Sequence, residues 1–189
     1  MTRIRTALML LAVVTATVTA GGRQREARWP PRFNPANSEA PVLSPEDEMK
    51  TFFLPPGYRV ELVASEPMVQ DPILIDWDSR GRMWVIELLG YMPDLKATNE
   101  RQPSGRVVVL EDTNGDSTMD KRTVFLDGLV LPRAVKVLES GVLVGEPPHL
   151  WFVRDTNNDL KADTKDLVCD CYGFEMGNVE HNANSLLWA

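Results

Sequence analysis

The sequence has little of what marks a cytochrome, a zinc protein or a nucleic-acid-binding protein. It holds two cysteines and two histidines in 189 residues. The cysteines form a C-x-C pair, so the C-x-x-C-H haem signature and the C-x-x-C zinc signature are both missing from this chain. The formal net charge is −7 and no basic stripe runs along the chain. We therefore expect no nucleic-acid partner.

The two cysteines, Cys169 and Cys171, are expected to be free thiols or to have partners outside this chain. Residues i and i+2 of a strand face the same way, and a disulfide between them would be strained. A metal-binding role for the pair is the alternative.

Long hydrophobic runs are also missing. The apolar stretch from Ala7 to Val18 is too short for a comfortable membrane span. It follows Arg3 and Arg5 and ends in small residues, which predicts a cleaved signal peptide at residues 1–20 and export to the periplasm or the medium. After cleavage no transmembrane span is expected, and no cysteine follows the cut to carry a lipid anchor. An uncleaved N-terminal anchor is the alternative.

Residues 21–43 are rich in proline, arginine and small polar residues, and they are predicted to be a flexible linker. A short helix and turn are predicted for residues 44–57. Ser44 can cap the helix, Pro45 suits its first turn, and acidic residues favour its N-terminal end. The helix must end before Pro55, because proline cannot continue it.

From Tyr58 onward the apolar period changes to two, which is typical of strands. The segment YRVELVAS alternates first. Two hairpins are then predicted, each followed by a second hairpin whose connecting loop is acidic. The eight runs that supply these strands read ILIDW, RMWVIE, GRVVVLE, KRTVFLD, RAVKVL, GVLVGE, HLWFVRD and KDLVCD.

The acidic loops recur at an offset of 43 residues, and four short strands in about 45 to 55 residues is the size of one β-propeller blade. The sequence therefore predicts an all-β fold. Residues 58–189 would form about two four-stranded blades of a partial β-propeller and, in ANSLLWA, the start of a third. Closed propellers have about four to eight blades, so we expect this chain to be the N-terminal part of a longer protein. A β-sandwich is the rival architecture.

The acidic loops carry oxygen side chains at positions 1, 3, 5 and 9, a spacing that suits calcium. Neither loop is an EF-hand, because Ser117 and Leu160 replace the sixth-position glycine and the flanks are strands. Asp and Asn also form tight turns without metal, and this alternative stays open. The candidate ligands are Asp112, Asn114, Asp116 and Asp120 in the first loop, and Asp155, Asn157, Asp159 and Asp163 in the second.

His181 is the candidate general base, because it precedes an apolar segment in GNVEHNANSLLW and a propeller binds ligands at loops around its channel mouth. The alternative is a histidine that only hydrogen-bonds neighbouring loops. His149, at the start of an outer strand, is given no role.

Residues 44–189 resemble a family of bacterial membrane-bound dehydrogenases whose N-terminal propeller is similar to the soluble quinoprotein glucose/sorbosone dehydrogenases. The segments that carry the resemblance are LPPGYRVELVASEP, GRMWVIELLGY, GRVVVLEDTNGD, LWFVRDTNNDLKAD and GNVEHNANSLLW. Longer members of the family add helical repeats and a haem-binding cytochrome module.

The resemblance implies oxidation of a sugar or alcohol, with pyrroloquinoline quinone (PQQ) as the hydride acceptor. His181 matches the base that takes the hydroxyl proton, and Glu87 matches a glutamate near the channel mouth. The relatives follow that glutamate with Arg, whereas this chain has Leu88. The other PQQ contacts and the catalytic calcium would lie in later blades. The alternative function is a non-catalytic, calcium-stabilised propeller that binds a carbohydrate or a partner protein.

Overall fold

The structure, a computed structural model, describes residues 42–174 and 181–187. The predicted signal peptide and almost all of the predicted linker lie outside these residues. Every element below belongs to the compact unit Leu43–Ala189. Among the described residues, no helix has the length and apolar character needed to cross a membrane.

The predicted short helix is confirmed as α1 (Pro45–Met49). Ser44 is its N-cap, and the Ser44 hydroxyl accepts a hydrogen bond of 3.2 Å from the backbone N–H of Asp47. Three acidic residues lie in the first turn, where they favour the positive end of the helix dipole.

The eight predicted strands are confirmed, and they form two four-stranded antiparallel sheets in which neighbours along the chain are neighbours in the sheet. The protein is therefore all-β, with almost no helix in the described part. The first sheet contains β1 (Pro72–Trp77), β2 (Met83–Glu87), β3 (Gly105–Glu111) and β4 (Lys121–Leu129), and the second contains β5 (Ala134–Leu138), β6 (Gly141–Glu146), β7 (His149–Arg154) and β8 (Thr164–Cys169).

One face of each sheet packs against the other sheet. The first sheet contributes Trp84, Ile86, Val107, Val109, Phe125 and Leu129 to this shared core, and the second contributes Val135, Val142, Val144 and Val153. The strand contacts between the sheets run mainly from β5 to β1 and β2. A buried polar link supports them, since the carboxylate of Asp76 accepts from Lys136 Nζ at 2.9 Å and from the backbone N–H of Val137 at 2.8 Å.

The segment YRVELVAS was predicted to alternate as a strand, and this prediction is wrong, because the segment lies outside all eight strands. Its residues Val63 and Ala64 pack instead on the outer face of the first sheet, beside the buried side chains of Val85 and Val108. The backbone N–H of Met119 donates to the carbonyl of Val63 at 2.8 Å. The apolar side chains of this segment thus cover the face, while a single backbone hydrogen bond holds the segment without adding a strand to the sheet.

The predicted third blade does not begin within the described residues, since residues 183–187 form no strand. They are held by two contacts to the second sheet. The Tyr172 hydroxyl donates to the carbonyl of Ser185 at 2.9 Å, and the N–H of Ser185 donates to the carbonyl of Arg133 at 3.1 Å.

The expectation of free cysteines is wrong, because Cys169 and Cys171 form a disulfide. Strand β8 ends at Cys169, and the chain bends at Asp170. The Cα atoms of the two cysteines are 5.3 Å apart, within the usual range for a disulfide. The prediction assumed that the strand continues through both residues.

Candidate functional site

Four strand ends gather at one end of the two sheets. Because each sheet is an antiparallel meander, β2, β4, β6 and β8 all end there, and the long loop after β2 begins there. Two glutamates, Glu87 and Glu146, are the last residues of β2 and β6. Both side chains are buried, which is unusual for carboxylates and requires partners.

Glu87 has a complete set of partners. Its Oε2 atom lies 2.6 Å from Nε of Arg106 and 2.9 Å from Nη2 of Arg122, and its Oε1 accepts from the N–H of Gln70 at 3.0 Å. Arg106 also donates to the Gln70 side chain. This arrangement compensates the buried charge of Glu87. Glu87 is therefore the centre of an ion cluster on the outer face of the first sheet.

Glu146 has an equivalent set of partners in the second sheet. Its Oε1 accepts from the N–H of Val130 at 2.7 Å, and its Oε2 accepts from Trp151 Nε1 and from Lys165 Nζ, both at 2.8 Å. In each sheet the glutamate that ends the second strand accepts a backbone N–H from the segment before the first strand. The repeat seen in the sequence therefore extends to the buried charges.

A cavity of about 430 Å³ lies beside Glu146, a volume suited to a small organic molecule. Its walls come from the β2–β3 loop, the β4–β5 connection, the β6–β7 turn and the C-terminal segment. The lining residues are Arg101, Val130, Leu131, Arg133, Glu146, Pro147, Pro148, His149, Trp151 and Asn182.

Arg133 is the notable charge of this cavity. The guanidinium lies 5.9 Å from the centroid of the Tyr91 ring, and burial of the side chain lowers the pKa of Arg133. Its Nη2 atom is enclosed by protein and has no hydrogen-bond acceptor. The chemistry available at this cavity is thus a half-buried cation, an aromatic wall and an imidazole.

The structure places the two predicted catalytic residues at this same end of the sheets, but in different surroundings. His181 is exposed, and its neighbour Asn182 lines the cavity. Glu87 is fully buried and its carboxylate is occupied by Arg106 and Arg122. A catalytic role for either residue stays a prediction.

The acidic loops lie at the opposite end of the sheets, where β3 meets β4 and β7 meets β8. In the first loop, Asp112 accepts from the N–H groups of Asn114, Gly115 and Ser117. The last carboxylate, Asp120, accepts from the N–H and hydroxyl of Thr113.

The second loop repeats this pattern. Asp155 accepts from four N–H groups, those of residues 157–160, and Asp163 accepts from the N–H and hydroxyl of Thr156. Bonds to backbone N–H groups, chiefly that of Ser117, lower the pKa of Asp112, and the Thr156 hydroxyl and N–H lower the pKa of Asp163. Through these contacts each loop is held as a turn by its own aspartates.

Within the residues described, no three side chains of His, Cys, Asp or Glu come together in a way that could hold a metal ion. The oxygen ligands proposed for calcium are chemically suitable, but their carboxylates are directed at backbone N–H groups. Calcium binding stays a prediction.

Comparison with protein-family models matches residues 44–189 to a domain described as Domain of unknown function (DUF7133). The chain belongs to the DUF7133 family. No curated protein and no solved structure matches it. The family match covers both sheets, the helix α1 and the cavity.

Reasoning from the sequence missed most of the cavity of this DUF7133 chain. It gave His149 no role, yet His149 lines the cavity, with Nδ1 2.6 Å from Oδ1 of Asp170. It gave Arg133 and Trp151 no role either. The available signal was Glu146, which ends GVLVGE as Glu87 ends RMWVIE. This equivalence of the two glutamates pointed to the residues around Glu146.

Proposed function

We propose that the two sheets are consecutive blades of a β-propeller, and that this propeller is a quinoprotein-like dehydrogenase that oxidises a sugar or alcohol with PQQ. The observation that carries the proposal is the arrangement of the two sheets. Each sheet is a complete four-stranded meander, and the two pack through their first strands. A cavity lies at the end of the sheets where β2, β4, β6 and β8 end. A Greek-key sandwich exchanges strands between its sheets, and these sheets do not.

A second observation supports the propeller. Met119 and Ala162 occupy the same place in the two acidic loops. The N–H of Ala162 donates to the carbonyl of Phe125 in β4, at 2.8 Å, and the N–H of Met119 donates to Val63 at the same distance. Val63 thus takes the position that the outer strand of a preceding blade would occupy.

The cavity residues fit a planar anionic cofactor. Trp151 offers an aromatic wall, and Arg133 offers a half-buried cation whose Nη2 atom lacks an acceptor. When bound, PQQ would supply the hydride acceptor of the reaction. In this proposal His181 takes the proton from the substrate hydroxyl. The hydride leaves the carbon that bears this hydroxyl, and a carbonyl forms. The proposal gives Glu87 the task of holding Arg106 and Arg122 in place.

The test is a dye-linked oxidation assay with the full-length protein, PQQ, calcium and a panel of sugars and alcohols. The His181→Ala variant is expected to bind PQQ normally, measured by quenching of tryptophan fluorescence, and to lose about 10²- to 10⁴-fold in turnover, the usual contribution of a general base. His181→Gln provides a second variant of similar size. Turnover that survives both substitutions would remove His181 from the mechanism, and absence of PQQ binding would defeat the dehydrogenase.

The second candidate is a non-catalytic, calcium-stabilised scaffold that binds a carbohydrate or a partner protein. The observation that favours it is the equivalence of the two acidic loops, whose first aspartates, Asp112 and Asp155, hold the same turn. Calorimetry with millimolar calcium tests it. Heat that disappears in the Asp112→Asn variant would support a metal in the first loop, and the absence of heat would remove this candidate.

A further inference from the structure

Arg133 differs from the other half-buried cations of the two sheets. Arg82, Arg106, Arg122, Lys136 and Lys165 each form an ion pair with a carboxylate at 2.6 to 2.9 Å. Arg133 forms none, and its guanidinium donates no hydrogen bond, in the part of the chain that the structure describes. An unpaired guanidinium in protein surroundings is costly, and an anionic ligand in the cavity would compensate it.

Among the residues that the structure describes, no acidic group near Arg133 forms an ion pair with it. Glu146 lines the same cavity, but its two oxygens are occupied by Val130, Trp151 and Lys165. Glu100 attracts Arg133 only at longer range, and its Oε1 accepts from the N–H of Met92. The Tyr91 ring at 5.9 Å gives the cation a weak contact and no formal charge.

The rest of the cavity wall suits an organic body. Four of the lining residues have apolar side chains: Val130, Leu131, Pro147 and Pro148. Trp151 adds an indole ring, whose N–H already donates to Glu146. An inorganic anion would leave these surfaces without contacts, whereas a molecule with a carboxylate and an apolar or planar portion would cover both.

We propose that Arg133 binds the carboxylate of a small organic molecule, whose body lies against Trp151 and the Pro147–Pro148 turn. A guanidinium can supply two parallel N–H donors for a carboxylate, and such a charge-assisted pair is stronger than a neutral hydrogen bond. The inference does not depend on the dehydrogenase proposal. If that proposal is correct, the carboxylate belongs either to the cofactor or to an acidic sugar substrate.

The first experiment measures binding by calorimetry with three probes. Benzoate carries a carboxylate on a planar body, benzamide is its neutral counterpart, and inorganic phosphate is an anion without an apolar body. We expect benzoate to bind, and benzamide and phosphate to bind at least tenfold more weakly. Equal binding of phosphate would contradict an organic site, and equal binding of benzamide would contradict recognition of charge.

The second experiment compares Arg133→Gln with Arg80→Gln, a control in which the same charge is lost from the exposed β1–β2 turn. Benzoate binding should fall at least tenfold in Arg133→Gln and stay unchanged in Arg80→Gln. The unliganded Arg133→Gln chain should unfold at the wild-type temperature or above it, because a half-buried cation without an ion pair has been removed. A lower unfolding temperature would indicate a structural role for Arg133 and would overturn the proposal.

Arg133→Lys serves if the glutamine variant does not fold. It keeps the charge but not the paired donors, so benzoate should bind more weakly than to wild type and more tightly than benzamide does. Undiminished binding to this variant would contradict the paired geometry.

Two further ligand comparisons identify the source of the carboxylate. Tighter binding of glucuronate than of glucose, lost in Arg133→Gln, would assign it to a substrate. PQQ binding lost in the same variant would assign it to the cofactor. If benzoate binds through Arg133 and the full-length protein does not bind PQQ at all, the carboxylate site stands and the dehydrogenase proposal fails.

Discussion

The buried glutamates show how single residues organise this fold. Glu87 and Glu146 end equivalent strands, and each is surrounded by donors from three other segments. A carboxylate enters a protein interior only when such donors compensate its loss of water. Glu87 has two arginine partners, and Glu146 has one lysine and an indole. Glu146 also borders the cavity that contains Arg133.

Replacing Glu87 by glutamine should destabilise the chain by about 2–4 kcal/mol, because two arginines lose their counter-charge in a half-buried setting. Urea denaturation followed by circular dichroism measures this change. Glu61→Gln is the matched control, since Glu61 pairs with Arg59 on the surface and an exposed pair contributes about 0–1 kcal/mol. Equal effects of the two substitutions would show that the buried cluster contributes no more than a surface ion pair.

A residue-scale feature that the sequence could not reveal is the close approach of Tyr172 to Gly145. A side chain at Gly145 would collide with the Tyr172 ring and with Ala134. Burial raises the pKa of Tyr172 to about 12, and its hydroxyl holds the carbonyl of Ser185. The glycine in GVLVGE thus allows the ring to position the C-terminal segment beside the cavity.

At the scale of elements, each acidic loop forms a turn held by hydrogen bonds to its own aspartates. In the second loop, Asp155 gathers the backbone N–H groups, and this directs Leu160 and Ala162 onto the core shared by the two sheets. The loop therefore connects the outer strands of its own sheet to the first sheet. The sequence spacing was compatible with both a metal site and a turn, because both need oxygen atoms at alternate positions.

The loops should weaken the fold in acid. The folded-state pKa of Asp112 is lower than its ordinary value of 3.8, so below about pH 3.8 the unfolded chain takes up a proton that the folded chain resists. Asp163 behaves in the same way. The stabilisation from these two groups is complete above pH 3.8 and is lost as the pH falls through the folded-state values.

Urea midpoints measured between pH 7 and pH 2.5 test this prediction. The Asp112→Asn variant should lose less stability on acidification than wild type, because the amide does not titrate. Glu139→Gln removes an exposed carboxylate from the β5–β6 turn, and it controls for the general change in surface charge. A wild-type acid slope in Asp112→Asn would show that the loop carboxylates do not contribute.

At the scale of the molecule, the sequence predicted the strands well because their signals are local. Alternation and turn residues such as Gly81 and Ser140 lie within each hairpin, and the 43-residue repeat identified the two four-stranded units. The contacts of Glu87 with Arg106 and Arg122 join residues far apart in the chain, and no local pattern reports them. The same holds for Arg133, because the lack of a hydrogen-bond acceptor at its Nη2 atom is visible only in the folded structure.

The predictions that were wrong also have local causes. The segment YRVELVAS alternates like a strand because its apolar side chains pack on an apolar sheet face. A segment can pack on a face in this way without pairing with the strands of the sheet. The disulfide was rejected because β8 was assumed to extend past Cys169. The outer face of β1 is only partly covered: Ile73, Ile75 and Trp77 are 46%, 50% and 47% exposed.

Because the two sheets share one core, they should unfold together. Ile86 belongs to the first sheet, is fully buried, and lies in the same cluster as Val144 of the second sheet. Replacing Ile86 by alanine should cost about 2–5 kcal/mol. Native-state hydrogen exchange should then show that amides of β6 lose as much protection as those of β3, since both report the same cooperative opening.

Ile75→Ala is the control for this experiment, because Ile75 lies on the half-exposed outer face of β1, and its loss should cost much less in both sheets. Loss of protection confined to β2 and β3 in Ile86→Ala would show that each sheet opens by itself. Independent opening would mean that the packing of β5 on β1 and β2 does not couple the units. A cavity built from loops of both sheets would then lack a rigid frame, and the carboxylate site at Arg133 would depend on ligand binding to bring the two sheets together.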